Sequence, residues 1–135
     1  MKPLPHSDRA ILIRTDFSNQ AAWDSIRQII AKPVDGFHAY VHYVDEIDYE
    51  GLTREQLLEL YREYNQSYAM VVDDVTVSSP EYPILIVDLF EDPGAEFRAI
   101  PSMIQSIENN LSIANMDFAE FAGAADEDNV LRGFD

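Results

Sequence analysis

The segment Ala10-Ile11-Leu12-Ile13 is apolar at every position. A strand with one solvated face alternates apolar and polar residues, whereas a strand covered on both faces is apolar throughout. Ile84–Val87 has the same character. Such strands need helices on both sides, so this feature alone points to a layered α/β protein. The intervening segments supply the helices. Ser18 is a plausible N-cap for a helix with Ala22, Trp23, Ile26, Ile29 and Ile30 on one side. Lys32-Pro33 ends it, with Lys32 at the negative end of the helix dipole.

Phe37–Val44 alternates with a period of two and predicts a strand. Thr53 with Gln56 forms a capping box, and Leu57, Leu58, Tyr61 and Tyr64 form the stripe of the helix behind it. Tyr68–Val72 predicts a third strand and Ile84–Phe90 a fourth, with Ser78–Pro83 too short and proline-broken for a crossover helix. Glu91-Asp92-Pro93-Gly94 is turn chemistry that lets Glu96–Ile100 return antiparallel. Pro101 suits the first position of a helix carrying Met103, Ile104, Ile107 and Leu111. An extended stretch through Ile113 follows, and Asp117 with Glu120 caps a final helix carrying Phe118 and Phe121. The expected fold is α/β, with α+β as the alternative. It is a three-layer sandwich on a mixed, mostly parallel sheet of about five strands, with a C-terminal antiparallel hairpin. Residues 1–9 read as a flexible lead and residues 10–135 as one domain.

Charge narrows the function. Nine Lys and Arg stand against 25 Asp and Glu, a net charge of −16. Nucleic-acid affinity arises largely from cationic side chains displacing counterions, so direct DNA or RNA binding is not expected. Anionic membrane surfaces are disfavoured by the same sign. A basic protein is the partner such a field would steer. There are no cysteines, which removes thiol nucleophiles, redox dithiols and zinc knuckles. No apolar run approaches the ~20 residues of a membrane span, and the N-terminus lacks a signal-type apolar region. A cytoplasmic protein is expected.

Catalytic motifs are sparse. The five glycines form neither a dinucleotide-binding nor a Walker pattern. His38 and His42 lie four residues apart on the predicted strand, about 13 Å, too far to share one ion. Asp126-Glu127-Asp128-Asn129 fails as a calcium loop, because Val130 and Leu131 stand where a ligand and glycine are required. The strongest chemical candidate is a carboxylate cluster of Asp16, Asp73, Asp74 and Asp88, each at the end of an apolar strand. If those strands are parallel, their ends share the edge where α/β sheets place sites. Mg²⁺ would suit such ligands, with Arg14 or Arg98 as an anion clamp. Asp88 is alternatively a buried acid paired with Arg14 or Arg98. Asn110 reads as a left-handed helix C-cap, and Arg132 reaches the 126–128 acids to tie down the tail.

Arg14-Thr15-Asp16-Phe17, Phe97-Arg98-Ala99-Ile100-Pro101, Glu108-Asn109-Asn110-Leu111, Ala114-Asn115-Met116-Asp117-Phe118 and Arg132-Gly133-Phe134 resemble a family of small, acidic, uncharacterised bacterial single-domain proteins. The resemblance runs from about residue 10 to the end. It implies no catalytic or binding residue. The family pattern carries a glycine where this chain has Asn129.

The expected function is a non-enzymatic binding or regulatory module of inhibitor or immunity type. Its acidic face (Asp45, Glu46, Asp48, Glu50, Asp126, Glu127 and Asp128) would dock a basic protein, with no cofactor. The alternative is a Mg-dependent phosphate-handling enzyme or binder using the strand-end aspartates. A small-molecule binder lined by Tyr40, Tyr61, Tyr64 and Tyr68 is a third possibility.

Overall fold

The computed structural model describes residues 2–62, 66–113 and 115–134. Six strands form one mixed sheet, in the order β2-β1-β3-β4-β5-β6. They are β1 (Ala10–Arg14), β2 (Val41–Val44), β3 (Tyr68–Val72), β4 (Ile84–Asp88), β5 (Glu96–Ala99) and β6 (Val130–Leu131). β1 pairs in parallel with both β2 and β3, and β5 in parallel with β6. β4 runs antiparallel to both neighbours. The helices are α1 (Gln20–Ala31), α2 (Arg54–Tyr61), α3 (Asp74–Ser78), α4 (Ile104–Ser112) and α5 (Phe118–Gly123).

The all-apolar strands are buried on both faces, as their composition requires. Leu12, Met70, Ile86 and Phe97 point to one side, where Trp23 and Ile26 of α1, Ile104 and Ile107 of α4, and Phe118 and Phe121 of α5 cover them. Ile11, Ile13, Val71 and Val87 point to the other, against Leu57 and Tyr61 of α2. The result is three layers, with α1, α4 and α5 on one face and α2 on the opposite face. The segment expected as a flexible lead belongs to this second layer. Leu4 is 2% exposed, and the Tyr49 hydroxyl donates to the Pro3 carbonyl at 2.6 Å.

Several elements differ from the sequence reading, each for a local reason. Asn19, not Ser18, caps α1, accepting from the Ala22 amide at 3.0 Å. Ser18 is instead engaged by the Asp16 carboxylate through both its amide and its hydroxyl. β2 begins at Val41, because Phe37 folds back on Val34 through two 2.9 Å backbone hydrogen bonds around Asp35-Gly36. β4 stops at Asp88 and not Phe90, since Asp88 already opens the turn. Asp73 and Thr76 form a capping box that starts α3, a helix missed in the sequence. α4 continues to Ser112 where an extended stretch was expected. Asn110 lies inside α4, and its carbonyl receives the Asn115 and Met116 amides, so it is no left-handed cap. The sixth strand, β6, follows Asn129, whose φ of 65° is the left-handed conformation that glycine or asparagine tolerates best.

Leu12, at the sheet centre, and Leu4, in the lead, give the layering a direct check. Leu12→Ala should cost about 3–5 kcal/mol and Leu4→Ala about 2 kcal/mol by urea unfolding. A Leu4→Ala protein with parental stability would show that the lead is not anchored.

Candidate functional site

The C-terminal ends of β1, β2 and β3 share one edge of the sheet, and a groove of about 510 Å³ opens there. Thr15 and Asp16 follow β1, Asp73 and Asp74 follow β3, the Leu52–Glu55 segment leads into α2, and Glu96 and Arg98 project from β5. Phe97 and Ala99 point to the α1 layer. The strand alternation therefore turns Glu96 and Arg98 toward the α2 side. There, α2 leaves the sheet partly uncovered.

Arg98 forms the centre of the groove. Its two terminal nitrogens donate to the two Asp73 oxygens at 2.9 Å each, and one also donates to the Pro83 carbonyl at 3.1 Å. Asp73 additionally accepts from the Thr76 amide and hydroxyl. Burial alone would raise the Asp73 pKa, but the Arg98 and Thr76 hydrogen bonds outweigh it. They hold the carboxyl below its ordinary value. The floor is equally well fixed. The Val72 carbonyl receives the Thr15 amide and hydroxyl, and the Thr15 carbonyl receives the Gly51 amide. Gly51 adopts φ +74°, a left-handed backbone that glycine takes without strain. On the rim, Arg54 pairs with Glu96 and Glu55, both at 3.4 Å.

The four-carboxylate cluster is not assembled. Asp16, Asp73 and Asp74 share the groove, but Asp88 ends a strand of opposite direction and lies at the other edge of the sheet. Tyr68, the first residue of β3, is its register partner. The carboxylate of Asp88 binds the amides of Phe90, Glu91 and Asp92 at 3.0–3.2 Å and so templates the turn into β5. It pairs with neither Arg14 nor Arg98. Among the described residues, no three His, Asp or Glu side chains are placed to hold a metal ion.

Arg14 and Arg98 do not make one clamp either. Arg14 shares the face of Leu12 and stacks over Phe17 and Trp23 at 4.5 and 5.2 Å, on the opposite side of the sheet from Arg98. It is buried, and it donates to the Asp16 carbonyl, Gln20 and Asp45. It fastens the ends of β1 and β2 to the start of α1.

The acids expected as a docking face have mostly found cations of their own. Asp45 meets Arg14, and Glu46 and Asp48 meet Lys2. Asp126 and Asp128 converge with Glu81 on Arg132 at 2.7–2.8 Å. These hydrogen bonds raise the Arg132 pKa and lower those of Asp128 and Glu81. Glu50 and Glu127 are exposed. Among the described residues, the tyrosines form no common pocket. Tyr61 packs with α2, Tyr68 lies in the opposite core, Tyr40 is exposed near Arg9, and Tyr64 lies outside the described residues. His42 lies in β2, and His38 precedes it.

One polar residue was missed. Glu108 is 5% exposed and accepts from the Tyr40 amide at 2.7 Å, the Ser112 hydroxyl at 2.6 Å and the Asn109 side chain at 3.0 Å. Its signal was present in the sequence. Ile104, Ile107, Glu108 and Leu111 occupy the i, i+3, i+4 and i+7 stripe, so the acid falls on the buried face.

A family model described as a domain of unknown function (DUF6924) matches residues 9–134. The chain belongs to that family. No curated protein matches it. Within this DUF6924 domain, three of the five segments that carried the resemblance fall in two places. Arg14–Asp16 and Arg98 fix the sheet edge, while Glu108 and Asn109 fasten the residue 38–40 segment to α4.

The Asp73–Arg98 pair makes a prediction with a definite sign. A folded pKa below the unfolded value means that the unfolded chain binds more protons in acid. The pair's stabilisation is therefore complete above the ordinary carboxyl value of 3.8 and fades as pH falls through the lower folded value. Asp73→Asn should lose about 2 kcal/mol at neutral pH, the scale of a hydrogen bond to a charged group. Its melting temperature should converge with the parent's in strong acid. A constant gap at all pH values would refute this.

Proposed function

We propose that the domain is a non-enzymatic binding or regulatory module of the cytoplasm, whose sheet edge docks a basic protein. An inhibitor or immunity type of role is the most specific form of this reading. The observation that supports it best is the charge of the groove. Asp16, Glu55, Asp73, Asp74 and Glu96 oppose Arg54 and Arg98, so the walls carry 2 − 5 = −3. Both arginines already face carboxylates of the chain itself, at Asp73 and Glu96. A lysine or arginine side chain of a partner complements what remains. No helix among the described residues is long and apolar enough to cross a membrane.

Capture on the immobilised domain tests the reading. A partner of high isoelectric point should be retained at ~0.15 M salt and released near ~1 M, where the Debye length shrinks to about 3 Å. The combined Glu55→Gln, Asp74→Asn and Glu96→Gln variant should fold with an unchanged melting temperature and retain none of it. Equal capture by the variant, or retention that ignores salt, would overturn the proposal.

A further inference from the structure

We propose that the free edge of β2 pairs antiparallel with β2 of a second copy of this chain, joining two six-stranded sheets into one continuous sheet. This proposal is independent of the groove. The two edges of the sheet are treated differently. At the β6 edge, the Asp126 amide donates to the Val130 carbonyl at 2.9 Å, and the Asp128 carboxylate accepts the Val130 amide at 3.2 Å. Both main-chain groups of Val130 are satisfied, and the edge is closed. At β2, no strand lies beyond Val41–Val44 among the described residues, and no hydrogen bond among those residues reaches its outward side. One alternate set of its amides and carbonyls therefore points away from β1.

Charge along this edge selects the partner and its direction. At the N-terminal end stands the exposed Arg9, 5.9 Å from the Tyr40 ring, while the acid on the Tyr40 amide, Glu108, is buried. At the C-terminal end stand Asp45, Glu46 and Asp48, offset only in part by Arg14 and Lys2. An antiparallel two-fold sets each cationic end against the partner's acidic end, whereas a parallel arrangement opposes like with like. The overall charge of −16 repels a second copy, but this repulsion is screened beyond ~8 Å at physiological ionic strength.

Apolar surface collects at the same place. Phe37, Tyr40 and Ile113 are 61%, 57% and 74% exposed and line one groove of about 580 Å³ beside the start of β2. Glu108 holds this groove in shape from below through the Tyr40 amide. Exposed large side chains grouped beside an open strand edge are the features of an interface rather than of a solvated face.

Light scattering over a wide concentration range should give twice the chain mass at high concentration, and amide exchange at Val41–Val44 should slow as the dimer forms. Phe37→Asp and Ile113→Asp should each return the protein to a single-chain mass with unchanged circular dichroism. Val75→Asp, exposed on α3, should dimerise like the parent. A single-chain mass at every concentration would overturn the proposal. So would a dimer whose β2 amides exchange as fast as in dilute protein, a dimer unaffected by the Phe37 and Ile113 changes, or an edge that another protein occupies instead.

Discussion

The bidentate contact between Arg98 and Asp73 joins two halves of the sheet that the chain builds in different ways. β1, β2 and β3 arise from strand–helix–strand crossovers and run parallel, whereas β4 and β5 are a hairpin laid against them. Arg98 belongs to the hairpin and Asp73 to the parallel half, and Asp73 also caps α3, the short link between them. Removing either partner leaves a half-buried charge without its counterion and frees the start of α3 at once. Interactions that satisfy several groups together are costlier to lose than their pairwise distances suggest.

Much of the architecture was legible because burial imposes composition. The all-apolar β1, β3 and β4 announced strands covered twice, and the capping boxes at Thr53 and Asp117 located α2 and α5 directly. Strand direction was not legible. Periodicity reads the same along a strand in either direction, so Asp88 looked like a partner of Asp16 and Asp73. Its true role depends on three consecutive amides folding around it, which no residue pattern displays. The shortest elements were hidden for another reason. α3 and β6 have five and two residues, too few for any period to develop. Within the candidate site, Asp73 and Arg98 were named correctly, but the sequence offered Arg14 as an equal, and only the facing of β1 separates them.

The charge excess is less diffuse than the composition implies. The cations are few, and most are committed. Lys2, Arg14, Arg54, Arg98 and Arg132 each bind at least one carboxylate. Arg27 stacks on Tyr43 and Trp23. Lys2, Arg14, Arg98 and Arg132 each hold two chain segments together, whereas the buried acids Asp88 and Glu108 are held by amides and a hydroxyl. Exposed pairs such as those of Arg132 contribute little individually, so their value lies in fixing the course of the tail.

Trp23 is the only tryptophan in the chain, and it is 1% exposed where α1 meets β1 and β2. Tyr43 approaches its ring edge-on at 6.2 Å, and the guanidiniums of Arg14 and Arg27 lie within 6 Å. The molecule thus carries a built-in fluorophore in a core that the parallel half shares with Ile86 and Phe97 of the β4–β5 hairpin. Its emission will shift to the red when that shared core opens to water. Circular dichroism, which sees both halves, will coincide with that signal only if they come apart in a single cooperative step.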